Sequence, residues 1–362
     1  MLQKYKMCNK TSIKSVEILL ILLYNLTMLL HNERKHNMKK EEMKNVGAAD
    51  VAVQAKIPRK KFWKVFRENF ELLLLTLPGI VLCFIFNYLP MFGVVVAFKK
   101  FNPVKGIWGS DWIGLENFEF FFTSNDAFRI IRNTLLYSLD YMIIGTICTV
   151  ALALFMFNLK SNMSVKIYNT IMILPKFLSM VLIAFIVYAL LNPVSGLLNQ
   201  VIAAFGGPND IDWYAWPAAW PFILTIIHIW QTVGYGSILY YASLMGIDDS
   251  LFEAADLDGA STWQKTMHIS IPHLIPIIVI QTILAMGHIF AGDFGLHYQT
   301  TRDVGLLYPT TDIIATYTFR GLMNNSIGPS SAIGLFQSVI GLIMVVSVNL
   351  IVKKISPENS LF

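Results

Sequence analysis

Charged side chains are scarce in this chain of 362 residues, of which only 14% are Asp, Glu, Lys or Arg. A soluble domain has about 25%, so the deficit argues against a water-soluble fold. Cysteine is scarcer still. Its three occurrences, Cys8, Cys83 and Cys148, form neither a CxxC pair nor a zinc-type spacing with histidine. We therefore predict no metal site and interpret the cysteines as packing residues.

Catalytic motifs are also missing from the sequence. There is no GxxxxGK[ST] phosphate loop, no HExxH pair and no GxSxG elbow. We therefore predict that the chain is not an enzyme, needs no cofactor and does not hydrolyse ATP by itself. The formal net charge of +5 comes from cations beside apolar segments, so no nucleic-acid partner is needed to explain it.

Long apolar runs are abundant, and the mean hydropathy is +0.56. A membrane-spanning helix needs about 20 apolar residues, and the chain has six runs of about that length. The predicted fold is an all-α membrane protein, a bundle of six transmembrane helices in a lipid bilayer. The runs are 72–98, 134–159, 165–191, 222–247, 274–290 and 333–352.

The cations beside these runs predict the orientation, because loops rich in Lys and Arg stay in the cytoplasm. Such residues lie at 56–67, at 160 and 166, and at 353–354. Both ends of the six-helix core are therefore expected in the cytoplasm, together with the loop near Ser250. The first outside loop, after residue 98, is an exception because it also carries Lys and Arg, although acidic residues accompany them.

The N-terminal region, 1–60, is predicted to be an extension of the transmembrane domain, 61–362. Its apolar run, 16–30, is short for a span and no small-residue cleavage site follows it. The run is either a weak extra helix or part of an upstream extension that the working protein lacks, with Met38 or Met43 as an alternative start. Residues 31–60 are charged and read as a disordered linker.

One polar passage interrupts the apolar runs, SLFEAADLDGASTWQKTMHISIPHLIP from Ser250. Ser250 and Glu253 have the spacing of a capping box, so a helix is expected to begin there. Gly259 can end it in a left-handed turn, Ser261 and Gln264 repeat the capping pattern, and Pro272 is expected to stop the second helix. Small and acidic side chains make this pair of helices a predicted docking surface.

The same passage carries the spacing E-A-A, three residues, G, nine residues, I, one residue, L-P. It resembles the cytoplasmic EAA loop of permease subunits in ATP-binding-cassette importers, with Ile271 in place of the family's Leu. We name residues 247–273 the EAA loop. The stretch YLPMFGVVVAFKKFNPVKGIWGSDWIGLENFEFFF resembles the first outside loop of permeases for oligosaccharides or polysaccharide fragments. The residues that the resemblance assigns to ATPase coupling are Glu253, Ala254, Ala255, Asp258, Gly259, Ile269 and Pro272.

This resemblance, which extends from about Phe70 to the C-terminus, implies a multi-pass protein of the bacterial plasma membrane that imports carbohydrate. It implies three kinds of partner: a second permease subunit, two cytoplasmic ATP-binding-cassette subunits and an extracytoplasmic solute-binding protein. Two alternatives remain open. One is an importer of the same kind for a non-sugar solute, and the other is a stand-alone secondary transporter, which would have no use for a docking loop.

Polar side chains inside the apolar runs are costly in lipid and should face the bundle interior. They are candidates for a translocation path because sugars need aromatic faces and hydrogen-bonding groups. The alternative is that they only join helices by hydrogen bonds. Tryptophans of the outside loops likewise form either an interfacial belt or a surface for the binding protein. The candidate path residues are Asp140, Tyr141, Gln231, Tyr235, Gln281, His288 and Gln337.

Overall fold

A computed structural model describes residues 70–159 and 161–355. The chain separates into two compact units, Met1–Val95 and Val96–Phe362. The predicted N-terminal extension, its apolar run and its boundary at residue 60 lie outside the described residues.

The first apolar run forms one long helical segment with three geometries. Helix α1 (Phe70–Cys83) passes into a π-helical turn (Phe84–Tyr88) and then a 3₁₀ helix (Leu89–Phe98). The Leu89 N–H bonds to the Phe84 carbonyl, five residues back. The change lies beside Pro90, which has no N–H to continue an α-helix. Residues Leu74–Phe98 are long and apolar enough to cross a membrane.

A small polar hairpin follows, with antiparallel strands β1 (Lys99–Lys100) and β2 (Asp111–Trp112) around the short helix α2 (Gly106–Gly109). The Lys99 ammonium is buried and donates to the carbonyls of Ile107 and Trp108, at 3.0 and 3.1 Å. Two of the cations that break the charge pattern thus serve the hairpin itself, because Lys105 pairs with Asp111 at 3.1 Å.

The rest of the described chain is helical. Five helical segments are long and apolar enough to span a membrane among the described residues, or six if one bent pair is counted as a span. The all-α class predicted from the sequence is confirmed. The helices are α3 (Glu116–Thr123), α4 (Asn125–Phe157), α5 (Asn162–Ile173), α6 (Met180–Leu191), α7 (Leu197–Ala204), α8 (Trp220–Leu244), α9 (Asp249–Leu257), α10 (Thr262–Lys265), α11 (Ile271–Gly287), α12 (Phe294–Thr300), α13 (Tyr308–Thr311), α14 (Ile314–Met323) and α15 (Ile327–Ile355).

The third apolar run is the bent pair, so its prediction as one straight helix was wrong. The segments Met163–Phe177 and Met180–Leu191 meet at 97°. Pro175 lies in a 3₁₀ turn after α5, and the Ser179 hydroxyl accepts from Leu182 N–H to begin α6 afresh. Hydropathy does not register this break because every residue around it except Lys176 and Ser179 is apolar or proline.

Glycines let helices approach closely in the larger unit, where α4 and α8 pack along each other. A Cβ built on Gly234 of α8 would lie 1.9 Å from the Met172 carbonyl oxygen of α5. Likewise, a Cβ on Gly341 of α15 would lie 2.9 Å from the Gly287 carbonyl oxygen at the end of α11. Small residues at helix crossings are typical of membrane bundles.

Candidate functional site

The first helix of the EAA loop, α9, begins earlier than its sequence predicted. Asp248 is the N-cap, and its carboxylate accepts from the Ser250 N–H at 3.0 Å. This hydrogen bond lowers the pKa of the Asp248 carboxyl. The predicted Ser250–Glu253 capping box is therefore wrong, because Asp248 already occupies the cap and Ser250 lies inside the helix. Glu253 is consequently exposed on α9 with no capping function.

The turn after α9 agrees with the sequence. Gly259 has φ = +74°, in the left-handed region. Its conformation lets the Ala260 N–H bond to the Ala255 carbonyl at 2.9 Å, which closes the end of α9. The second capping box is confirmed: Ser261 N–H donates to the Gln264 side chain at 2.7 Å, and Gln264 N–H donates to the Ser261 hydroxyl at 3.3 Å.

Pro272 does not stop the second helix. After α10 the chain continues through a π-helical turn, Thr266–Ser270, directly into α11. The Ile271 N–H reaches back five residues to the Thr266 carbonyl. Pro272 then lies in the first turn of α11, where its missing N–H costs nothing. The segment Thr262–Gly287 is accordingly one candidate span, beginning inside the EAA loop.

Apolar side chains hold the EAA loop against the ends of the long helices. The Phe252 ring lies 5.6 Å from the Phe157 ring at the end of α4, and Ile269 packs on the buried cluster around Leu274. Ile269 and Phe252 thus anchor the loop.

The opposite surface of the loop carries the other predicted coupling residues. Glu253, Ala254, Asp258, Gly259 and Pro272 are exposed, and Ala255 is half-buried. Exposed apolar side chains lie among them: Leu251, Leu257 and Trp263. The Lys265 ammonium pairs with Asp256 at 2.6 Å and partly neutralises the acidic edge. The result is a protruding surface of small, acidic and apolar groups.

A cavity of about 500 Å³ lies between the helices at the other predicted site. We call it the Tyr141 cavity. The Tyr141 ring of α4 stacks on His228 of α8 at 4.0 Å with an 8° tilt. His288, at the end of α11, and Asp293, the N-cap of α12, also line the cavity. Sequence reasoning missed His228 and Asp293; the signal for His228 was its place one turn before Gln231 on α8.

The remaining candidate path residues do not line the Tyr141 cavity. Asp140 accepts a 2.5 Å hydrogen bond from Thr225. Gln231 is buried and its amide nitrogen contacts the Met180 sulfur at 3.6 Å. Three others are dispersed along α8, α11 and α15: Tyr235 and Gln281 are exposed, and Gln337 is half-buried.

Residues 142–357 match the family described as binding-protein-dependent transport system inner membrane component. The chain belongs to this family. It is a multi-pass membrane permease component, since the matched residues contain the EAA loop and four of the five unbroken candidate spans in whole or in part.

This permease is similar along most of its length to characterised relatives. Protein LplB of Bacillus subtilis (strain 168) is 32% identical over 80% of this chain and 90% of its own. The polygalacturonan/rhamnogalacturonan transport system permease protein YteP of the same strain is 32% identical over 86% and 97%.

A solved structure supports the same relationship. In the crystal structure of a bacterial alginate ABC transporter in complex with alginate pentasaccharide-bound periplasmic protein, one chain is 30% identical to the permease. It has a TM-score of 0.73, and the match covers 82% of the permease and 99% of that chain.

A histidine links two elements of the permease beside the Tyr141 cavity. His297 of α12 is buried, and its Nδ1 lies 2.8 Å from the Thr311 carbonyl, which only accepts. Nδ1 therefore carries the proton, and neutral Nε2 accepts from the Tyr141 hydroxyl at 3.1 Å. Burial lowers the pKa of His297, which favours this neutral form.

An ion-pair cluster of the permease lies between α12 and α15 in sequence. Asp312, whose side chain is 0% exposed, accepts from Arg320 at 2.6 Å. Arg320 also pairs with Asp303 at 2.8 Å and lies over the Tyr308 ring at 4.1 Å. Burial opposes the charge of Arg320, but the hydrogen bond and charge of Asp312 outweigh it and raise the pKa of the guanidinium. The cluster fastens α14 to the preceding segment.

Proposed function

We propose that this chain is a permease subunit of an ATP-driven carbohydrate importer in the bacterial plasma membrane. The observation that carries the proposal is the EAA loop, which combines a left-handed Gly259 turn with exposed Glu253 and Ala254. A protruding surface of this kind suits a cleft on a cytoplasmic ATPase. Names of two relatives and neighbours concern acidic polysaccharides, which supports a carbohydrate as the solute.

The partners proposed are a second permease subunit, two ATP-binding-cassette subunits and an extracytoplasmic solute-binding protein. The neighbouring alginate transporter was solved with a periplasmic protein, which supports the last of these. ATP hydrolysis is assigned to the cassette subunits, and this chain supplies the path and the coupling. Both ends of the core are placed in the cytoplasm because Lys353 and Lys354 end α15 and Lys166 lies in α5, next to short connections.

The Tyr141 cavity is proposed as part of the sugar path. Tyr141 and His228 present stacked rings, and rings of this kind pack against the C–H faces of a sugar. Asp293 and His288 supply polar groups, and the buried Nδ1 of His228 has no hydrogen-bond partner among the described residues. A passing hydroxyl group would satisfy that nitrogen. The cavity gives no reason to favour an acidic over a neutral sugar.

Coupling would follow from the continuity of the EAA loop with α11. Because α10, the π-helical turn and α11 form one helical segment, displacement of the loop by a closing ATPase would be transmitted to Gly287, at the end of α11 beside the Tyr141 cavity. Each state binds the partner with a different affinity, and the difference in ATP-bound and ATP-free affinities drives the change.

Co-purification tests the proposal. A tagged chain expressed with its partner subunits is expected to retain an ATPase whose activity rises when sugar-loaded binding protein is added. Ala254→Trp, which places a bulky ring on the exposed EAA surface, should lose the ATPase, whereas Glu119→Trp on exposed α3 should retain it. Purification of the chain alone, with transport that needs no ATP, would favour a secondary transporter and contradict the proposal.

A further inference from the structure

Helix α7 has its polarity reversed relative to a water-facing loop helix. Its polar Asn199 is 2% exposed, whereas its apolar side chains are turned outward. At 100° per residue the exposed side chains form one continuous face of about 100°. Phe205, which ends the helix, is 89% exposed. The face comprises Leu197, Leu198, Val201 and Phe205.

The rotation of α7 is fixed by Asn199. Its amide donates to the carbonyls of Pro193 and Ile211, at 3.3 and 2.9 Å, and its oxygen accepts from the Trp213 indole at 2.7 Å. With three hydrogen bonds on the inner side, the helix cannot turn its apolar face inward without leaving buried polar groups unpaired.

The position of α7 along the chain is fixed equally well. Only five residues separate it from Leu191, the last residue of the apolar helix α6, and α7 packs against α6. The turn is compact, since a Cβ on Gly196 would lie 2.7 Å from the Leu190 carbonyl oxygen. The apolar face of α7 therefore continues directly from a helix that lies in the membrane.

We propose that α7 lies in the membrane interface, with its apolar face inserted among lipid acyl chains beside the end of α6. A protein partner would be expected to meet polar groups at the rim of such a face, but the adjacent Gln200 amide is already bound to the Ser195 carbonyl at 3.1 Å. The stacked indoles of Trp213 and Trp216, 5.7 Å apart, follow in the same segment, and tryptophan favours the membrane–water boundary. The interfacial helix holds the bent pair α5–α6 at a fixed depth.

Fluorescence quenching tests this placement. In a background with Cys8→Ser, Cys83→Ala and Cys148→Ala, the fluorophore NBD is attached at Val201→Cys or Phe205→Cys on the apolar face. Gln200→Cys, one residue away on the exposed polar side, is the matched control. Each variant is assembled with its partners in phosphatidylcholine vesicles with or without doxyl-labelled lipid.

We expect doxyl lipid to quench the labels at 201 and 205 several times more strongly than the label at 200, and iodide to show the opposite order. Equal iodide quenching at all three positions would overturn the proposal, because the face would then be in water. Shielding of 201 and 205 from both quenchers, with or without the binding protein, would also overturn it and indicate a protein partner. Retained ATPase binding in each labelled variant establishes that the permease is folded.

Discussion

At the scale of single residues, Glu253 is separated from the work of helix capping. Asp248 caps α9, so substituting Glu253 removes a charge from an exposed surface and leaves the start of the helix intact. The sequence suggested the opposite arrangement, because Ser250 and Glu253 have capping-box spacing and nothing local indicates that Asp248 takes the position first. The carboxylate therefore has no structural function that would mask a contribution to docking.

We predict that Glu253→Gln and Glu253→Ala weaken sugar-stimulated ATP hydrolysis to a similar extent, without dissociating the complex. An exposed ion pair contributes about 0–1 kcal/mol, so a loss of up to about fivefold is expected. The rate is measured in reconstituted vesicles beside the basal rate. Asp248→Ala is the control for capping and should lower the stability of α9 by about 1 kcal/mol. Wild-type stimulation in both Glu253 variants would show that this charge takes no part in coupling.

The ion-pair cluster makes a second prediction at this scale. Arg320→Gln leaves Asp312, with a side chain that is 0% exposed, facing only Arg129 at 3.6 Å. Breaking a buried pair by removing one partner costs about 3–5 kcal/mol, so thermal unfolding in detergent should occur at a clearly lower temperature. Lys105→Gln, which breaks the exposed pair with Asp111, is the control and should change little. Adding Asp312→Asn to Arg320→Gln should restore part of the loss; no restoration would mean that the buried charge is not its cause.

His297 predicts how stability depends on pH. Its pKa is lowered in the folded protein by burial, against the hydrogen bond with Thr311 and the charges of Asp293 and Asp312. The unfolded chain, with a histidine pKa of about 6.5, therefore binds the proton first as pH falls. The contribution to stability is full above pH about 6.5 and is lost progressively below it. The unfolding temperature should fall between pH 7.5 and 5.5, less so in His297→Gln, and His268→Gln in the exposed loop should keep the wild-type dependence. An unchanged slope in His297→Gln would contradict this account.

At the scale of elements, the local signals in the sequence were reliable where a single residue type decides the backbone. Gly259 in the left-handed region and the Ser261–Gln264 box are examples. Long-range geometry was not available from the sequence: the 97° bend before α6 depends on the packing of α5 under α8, where Gly234 meets Met172. The Tyr141 cavity joins residues of α4, α8, α11 and α12, so only two of the seven candidate path residues, Tyr141 and His288, were found to line it.

The turn of the EAA loop gives the prediction for this scale. Nothing lies within 4 Å of a Cβ built on Gly259, so a side chain there meets no steric clash and acts only through the left-handed backbone. Gly259→Val should cost about 1–2 kcal/mol in that conformation and displace α10 relative to α9. Gly259→Asn, which tolerates the conformation, is the control. Uptake is expected to fall with Val and to be largely retained with Asn, at equal membrane levels. Normal uptake with Val would show that the turn does not shape the docking surface.

At the scale of the whole molecule, the chain places two polar sites in an otherwise apolar structure. The EAA loop protrudes where α8 ends and α11 begins, and the Tyr141 cavity lies where α11 ends and α12 begins. One helical segment, Thr262–Gly287, connects them. That continuity gives a direct physical link between a cytoplasmic ATPase and a sugar path, and no such link would be required in a transporter that works alone.

The central claim is that this permease moves carbohydrate only when a partner ATPase acts through the EAA loop. Uptake of a radiolabelled oligosaccharide into vesicles that contain the complete complex tests it most directly. The account predicts uptake that needs both internal ATP and the solute-binding protein, and that is abolished by Ala254→Trp but not by Glu119→Trp. Uptake by the chain without its ATPase, or uptake driven by an ion gradient in the absence of ATP, would contradict the account.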